Sequence, residues 1–594
     1  MSRGKLEISS LEGLSDKECA EAVAQSFASV SQEYSPLNRS ELPSFLPAGR
    51  PEEVTVFQVI NSIKKLGKTK STLPIDIPDR LRVECAVDLA EPLTDIFNSC
   101  LRAGSFPVMW RREWCTPVPK PKDGGDLKTC DDVRKVASTS DFAKIFELFL
   151  QGWVTEDIGN KIYKNQFAGR KGVGTVHLIV KLLDRVLGML DKPGMKAVIQ
   201  ASVDWASAFS RTDPTKTVTK MINMGIRPSI VNILIEFLEN RQMSVKFNGQ
   251  ESSLFTLVGG GPQGSWSGQQ SYIISSDDNA DCVPEDDRYK FCDDLSILEL
   301  IMLGDALTEY NFWEHVASDV GVDQRFLPAQ GLDTQLNLDK IALWTENNLM
   351  KLKESKTTYM FFTRSKQNFT TRLTVNGKVV ERQKYVKLLG LWLQEDGGWG
   401  KHVTETCKKA YMRMSFLTKL RYAGISRGEL IHNYKQFIRT ALEYCSVKFH
   451  SSLTEVESDK LERCQAVALR VIHQDEYLSD ESALVLAGLE KLLARRNSRC
   501  LYFSLKCIAH DHNKRFFPRN PNIGSIPEVR EREHFVVNLA RTKHNRESAI
   551  PFCQRLLNSH FRERRAAESG GRAGAGADRG TRGRSRRAGA GGRL

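Results

Sequence analysis

The chain lacks any run of 18 or more apolar residues, and its first stretch, MSRGKLEISSLEGLSDKE, alternates charge with no apolar segment behind it. The first lack argues against a helical membrane span, the second against a secretory signal. None of the 13 cysteines forms a CxxC pair, which argues against a disulfide scaffold and suits a reducing, intracellular compartment, nucleus or cytoplasm. No internal repeat is found. Acids are in deficit: the net charge is +13. Residues 561–594 hold ten arginines and three acids, so the other 560 residues carry only +6. Global charge is therefore a weak pointer to a polyanion partner.

What is present reads as an ordered mixed chain. Residues 1–55 are polar, with scattered Pro and Ser, and are expected to be loosely structured or the end of a preceding domain. VFQVINSIKKLG and CAVDLAEPLTDIFNSCLRAG place apolar residues at helical spacing around a Pro-rich break. WCTPVPKPKDGG predicts a short strand ending in a basic turn, and 138–195 should be mostly helical. The first half of AVIQASVDWASAF predicts a buried strand. VTKMINMGI and VNILIEFLENR should be helices, MSVKFNG and SSLFTLVGG hairpin strands, and YKFCDDLSILEL a strand pair around an acidic turn. After a less patterned connection, 304–336, a helix is expected over 339–357, then a strand (TYMFF) and a hairpin at Asn376-Gly377. Residues 401–512 read as nearly all amphipathic helix. From about Ala566 the Gly/Ala/Arg composition predicts disorder.

Three segments carry chemistry. Val203-Asp204-Trp205-Ala206-Ser207-Ala208-Phe209 puts a carboxylate where a buried strand emerges, with an aromatic five residues on. Gly259 to Ser265 (GGGPQGS) is a loop whose backbone can approach a ligand closely, because glycine has no Cβ. Phe291-Cys292-Asp293-Asp294-Leu295 sets two adjacent acids between apolar residues, an arrangement that needs a compensating cation. Mg²⁺ takes hard oxygen ligands and combines a few carboxylates with substrate phosphates. Taken singly, an Asp-Asp pair is most often a solvated turn and Gly-Pro-Gln-Gly a simple one. Their order along the chain is what makes them informative.

In that order the segments resemble the reverse transcriptases of non-LTR retrotransposons of the jockey-like kind, over most of 56–560. Trp114 to Lys120 resembles the family's fingers strand, and Asp132-Val133-Arg134 with Ser138-Thr139-Ser140 its Asp-Tyr-Arg-Pro-Ile-Ser block. Gln166 to Gly172 is similar to Gln-x-Gly-Phe-Arg-x-Gly. Asp204 to Phe209 resembles motif A, Gly261 to Ser265 motif B, and Phe291 to Asp294 the Tyr/Phe-Ala-Asp-Asp box. Leu352 to Thr357 resembles motif D, and Leu388 to Trp392 the primer grip. The resemblance implies an α+β right-hand polymerase with a disordered basic tail. Its expected division is a polar segment over 1–55, fingers over 56–200 and a palm with an antiparallel sheet over 201–400. A helical thumb over 401–515 follows, then its extension over 516–560 and the tail over 561–594.

The implied activity is RNA-directed DNA polymerisation with two Mg²⁺ ions, or Mn²⁺ in their place, held by Asp204, Asp293 and Asp294. Lys356 would act as proton donor near the leaving pyrophosphate. Lys120 and Arg134 would contact the nucleotide's phosphates, Gln263 and Gly264 the template–nucleotide pair, and Phe209 the sugar. Implied partners are an RNA template, a DNA primer and dNTPs, with the endonuclease supplied elsewhere and no membrane. The alternative is a degenerate or co-opted protein of the same fold that binds nucleic acid without catalysis; the three intact acids favour the enzyme.

The sequence departs from the pattern at Ser210, Lys135 and Lys353, and Asp213 is a candidate to take part of Ser210's local role. The acidic stretch Asp277–Asp287 reads as a solvent-facing turn. Cys500, Cys507, His510 and His512 match no zinc-finger spacing, and core burial of the cysteines is expected. Arg495, Arg496 and Arg499 read equally well as a nucleic-acid surface or a solvated helix face.

Overall fold

A computed structural model describes residues 5–45, 51–66, 73–120, 126–302, 332–365, 369, 371–521 and 534–577, with side chains left out at 332 and 566–577. Its strands, in chain order, are β1 (Arg112–Pro119), β2 (Val133–Ser138), β3 (Met195–Val203), β4 (Arg241–Phe247), β5 (Gln250–Glu251), β6 (Phe255–Leu257), β7 (Arg288–Phe291), β8 (Asp294–Met302) and β9 (Thr358–Thr363). Two larger sheets result.

The first runs β2-β1-β4-β5, with β6 also on β4; β1 and β4 are parallel and the other pairs antiparallel. The second has β3 at its centre between β8 and β9, with β7 outside β8, all antiparallel, and the short strand Glu381–Arg382 parallel to β9. The period of two along a strand gives this sheet two apolar faces. Val198, Leu298, Met360 and Phe362 point to one core, and Ala197, Ile199, Ala201, Val203, Leu295, Ile297 and Phe361 to another. The first face is covered by the helix Thr175–Leu190, whose Leu178, Leu182, Val186 and Met189 recur at helical spacing. The same core continues through the hairpin Tyr385–Leu388/Leu391–Gln394 into the helices from Gly400 on. The second face is covered by Tyr272 and by Leu338 and Ile341 of the helix Leu332–Asn347.

The expected helices over 56–66, 86–103 and 401–512 are present, as is the Asn376-Gly377 turn, between Thr374–Val375 and Lys378–Val379. Three expectations need correction. The segment 1–55 is not loose throughout: Asp16–Gln32 is a helix with a Ser15/Glu18 capping box. Its Cys19, Ala20, Val23, Ala24 and Ala28 pack on Val245 and Phe247 of β4 and Leu257 of β6. Small residues at helical spacing let the helix lie close to the sheet, a weak signal in a polar segment. The helix expected over 339–357 stops at Asn347, because Leu349 takes a left-handed φ of 55° and Met350 N–H bonds back to the Thr345 carbonyl at 2.9 Å.

The third correction concerns the tail. The helix Ala549–Ala577 runs into the stretch expected to be disordered; Ala and Arg are good helix formers, while 578–594 lie outside the described residues. The acidic stretch Asp277–Asp287 is a turn that faces solvent at Asp281, Glu285 and Asp286, as expected, and several of its charges are also paired. Lys220 pairs with Asp278 at 2.6 Å, Arg288 with Asp281 at 2.5 Å, Lys164 with Glu285 at 2.6 Å and Arg185 with Asp287 at 2.8 Å. Most of the 304–336 connection also lies outside the described residues.

Candidate active site

The two acidic segments meet at one end of the second sheet. In the β3–β8 ladder Val203 faces Leu295, so one step further along the same register Asp204 comes opposite Asp294. Asp293 sits beside them in the two-residue turn joining β7 to β8, where Phe291 pairs with Asp294. The turn requires φ 60° at Cys292, a costly conformation for a residue with a Cβ. The buried Gln166 side chain holds it, accepting the Cys292 N–H at 3.2 Å and the Ala168 N–H at 3.1 Å. Lys290, fully buried on β7, donates through Nζ to the carbonyls of Ser276 (3.1 Å) and Asp277 (2.5 Å), just past the helix Trp266–Ser275. Burial brings its pKa down to about 7.

Electrostatically the acids strain against one another. Burial, with the charges of Asp293 and Asp204, raises Asp294 to about 6, although the residue itself is exposed. Asp293 is also raised, first by burial and then by Asp204, while Arg134 and Lys356 pull it down. Lys356 Nζ stands 3.6 Å from Asp204 Oδ2. Its segment is tied to the acid by Lys353 N–H on the Asp204 carbonyl (2.8 Å) and Ala206 N–H on the Lys351 carbonyl (2.8 Å). Lys120 follows β1, where Val118 faces Arg134 of β2. Its ammonium donates to the Asp131 carbonyl, and its pKa is lowered, first by burial and then by the charge of Lys353, with Lys356 and Arg134 adding to it. Lys356 and Arg134 therefore act on the acids, with Lys120 beside those two cations and Lys353.

The glycine loop closes the arrangement. Gly261 N–H donates to the Phe209 carbonyl at 2.7 Å, and Ala137 N–H of β2 donates to the Gln263 carbonyl at 3.0 Å. Gly264 has φ 137°, and a Cβ there would lie 2.3 Å from the Ala137 carbonyl oxygen. Gln263 and Gly264 are exposed, whereas Phe209 is half-buried. Asp204, Phe209, Asp293, Asp294 and Lys356 are thus brought to one place, Gln263 and Gly264 lie against Ala137 of β2, and Arg134 is on β2 with Lys120 just past β1.

Sequence reasoning missed several supports. Arg241, fully buried, donates to Glu113 (2.5 Å) and to the carbonyls of Gly259 (2.8 Å) and Gly260 (2.6 Å). Glu147, buried within an apolar helix, accepts the Ser267 N–H at 2.8 Å just behind the loop. A charged residue inside an apolar pattern was the available signal for both. Asp213 caps the helix Pro214–Asn223 through the Lys216 N–H at 3.0 Å, which is a structural task. Arg495 and Arg499 both hold the buried Glu443 (2.5 and 3.2 Å), and Arg496 is buried on Ser458 (2.7 Å), so Arg496 is a core residue that ties helices together, while Arg495 is half-buried and Arg499 stays exposed. Cys500 and Cys507 are core residues, and His510 bonds the Lys171 carbonyl at 2.7 Å.

Among the described residues no group of three or more His, Cys, Asp and Glu side chains is close enough by itself to hold a metal ion. The donor set nevertheless suits Mg²⁺, which is bound by one or two carboxylates and completed by phosphates and water rather than by an all-protein cage. The raised pKa values of Asp293 and Asp294 are relieved by a cation placed among them.

A paired-carboxylate sheet end flanked by cations and a glycine loop is the kind of site that handles phosphates, and the chain resembles RNA-directed DNA polymerases of non-LTR retrotransposons. Its relatives include a probable RNA-directed DNA polymerase from transposon BS of Drosophila melanogaster, 24% identical over 396 residues, 66% of this chain and 41% of that protein. The RNA-directed DNA polymerases from mobile element jockey of Drosophila melanogaster and Drosophila funebris are each 24% identical, over 70% and 72% of this chain and 44% of theirs. The chain spans less than half the length of these relatives. No family model matches it.

Proposed function

We propose that the chain is an RNA-directed DNA polymerase that adds dNTPs to a DNA primer 3′-hydroxyl on an RNA template. The observation that carries this reading is the meeting of Asp204 with Asp294 across the β3–β8 ladder, Asp293 in the adjoining turn. In this reading β3, β7, β8 and β9 are the palm, the first sheet and its helices the fingers, and the helices from Gly400 the thumb. Asp204, Asp293 and Asp294 would hold two Mg²⁺ ions. Bound there, they would supply the charge that activates the 3′-hydroxyl and offsets the leaving pyrophosphate. Lys120 and Arg134 suit the triphosphate, guanidinium and ammonium being natural partners of phosphate oxygens. Lys356, beside Asp204, would give a proton to the leaving pyrophosphate. Gln263 and Gly264 offer exposed backbone and amide to the nascent pair.

The test is extension of a DNA primer annealed to an RNA template, with dNTPs and Mg²⁺. Asp293→Asn removes charge with little change of volume. Extension should fall by orders of magnitude while primer–template binding persists, because positioned charge supplies most of the rate. Normal extension by that variant sinks the assignment.

A further inference from the structure

The N-terminal helix Asp16–Gln32 ends where three site segments converge. Ser31, 2% exposed, accepts the N–H groups of Val258 (2.7 Å) and Gly259 (2.8 Å) through its hydroxyl, which donates to the Gly259 carbonyl at 3.1 Å. Glu33 takes both terminal guanidinium nitrogens of Arg211 at 2.7 and 2.9 Å and lies 3.3 Å from Lys351 Nζ. Tyr34 donates its hydroxyl to the Leu349 carbonyl at 2.6 Å. The glycine at 259 is required here: a Cβ would lie 2.6 Å from the Tyr34 ring. Arg211 closes the turn that begins at Asp204, Gly259 begins the glycine loop, and Leu349 and Lys351 lead to Lys356. Each of the three contacts therefore reaches a different part of the site.

We infer that Ser31, Glu33 and Tyr34 are positioning residues for nucleotide addition, a strut that fixes the Asp204–Arg211 turn, the Gly259–Ser265 loop and the Leu349–Lys356 segment relative to one another. The inference rests on the polymerase reading for what is positioned, but not for the strut itself. Packing of the helix on β4 and β6 alone would require only its apolar face. The three polar contacts lie beyond that face, at the helix end; Ser31 and Tyr34 bond backbone that no strand pairs, and Glu33 holds the Arg211 and Lys351 side chains. A hydroxyl that satisfies two N–H groups and one carbonyl holds a loop in a single conformation, since leaving them buried and unpaired is costly.

Ser31→Ala and Tyr34→Phe in the full chain remove these bonds and keep the apolar packing. Two readouts separate the claims. Amide hydrogen exchange should quicken about tenfold at 258–260 in Ser31→Ala, the size expected for losing a buried hydrogen bond, and likewise at 349–351 in Tyr34→Phe. On an RNA template with a DNA primer, the KM for dNTP should rise about tenfold while primer–template affinity and Tm stay near wild type. Unchanged loop exchange overturns the strut, whatever the activity. A loss of Tm, primer binding and extension in parallel overturns it too, as the mark of a merely structural helix. A wild-type chain that copies no RNA sinks the polymerase reading, and exchange, which needs no nucleotide, then decides the strut alone.

Discussion

The Phe209 ring stacks on Tyr272, centroids 4.9 Å apart and planes 28° apart. Tyr272 is fully buried, and its phenol is pushed far up, first by burial and then by Asp293. Phe209 is thus backed by a rigid ring while remaining half-buried itself. In the polymerase reading, a ring so supported would not yield to a 2′-hydroxyl and would act as a steric discriminator between ribose and deoxyribose. Phe209→Val should keep much of the dNTP activity and gain ribonucleotide incorporation. A residue that only fills core would instead cost about 2–4 kcal/mol of stability and lower both activities together. The ratio of rNTP to dNTP efficiency in the two proteins distinguishes the cases, and an unchanged ratio rejects the discriminator.

Gly264→Ala tests the loop. At φ 137°, with a Cβ 2.3 Å from a backbone oxygen of β2, the loop must move, at a local cost of about 1–3 kcal/mol. Extension should drop by about tenfold or more while the thermal midpoint changes little, because the strain is confined to an exposed loop. Gly188→Ala is the control. It lies within the helix Thr175–Leu190 with nothing inside 4 Å of the added Cβ, so it should stabilise by roughly 0.5–1 kcal/mol and leave extension alone. Equal activity loss in both variants would refute the local role of the loop.

The central sheet was legible because β3 and β8 are short apolar runs, and the acids at their ends stand out against them. Local order within the loops was less legible, since it depends on partners far away in sequence. Gln166 reaches Cys292, Arg241 reaches Gly259, and Ser31 reaches Gly259 across 228 residues. No local period reports such pairs. The N-terminal helix was missed for a related reason: its buried face is Ala and Cys rather than Leu and Ile, so its polar residues dominate the pattern. At Arg496 a surface reading failed because exposure is the ordinary fate of arginine, and only the fold reveals that this side chain is buried beside Glu443 and its partners.

Glu147 gives a pH dependence. Burial raises its pKa from 4.5 to about 7, the Ser267 N–H opposing. The unfolded chain releases this proton near the ordinary carboxylate value while the native state keeps it, so the native state binds more protons through that window. Its contribution to stability is therefore fully present below 4.5 and is lost as pH rises through about 7. Glu147→Gln keeps an acceptor for Ser267 and removes the titration. Denaturant unfolding at about pH 5 and about pH 8 should show a smaller stability difference in the variant than in the wild type. Equal differences would mean that Glu147 does not titrate in this range.

The helix Gly400–Tyr422 presents Lys409, Arg413 and Lys419 on one exposed face together with Met412 and Phe416, which are 67% and 41% exposed. Cations interleaved with apolar side chains suit a duplex backbone with its sugars, as expected of a thumb. Removing everything after Gly400 would not test this, because Leu391 and Leu393 of the preceding hairpin share one core with Val403 and Met414, and the cut would expose it. Lys409→Ala with Lys419→Ala leaves that core intact. If each lysine neutralises one phosphate, primer–template affinity should weaken, and the slope of log affinity against log salt should become shallower by roughly 0.7–0.9 for each. Single-nucleotide addition on a saturating primer–template should be preserved, since neither lysine is among the charges acting on Asp293 or Asp294, while the length of product made per binding event should shorten. A salt slope identical to the wild type's would place the duplex elsewhere on the molecule.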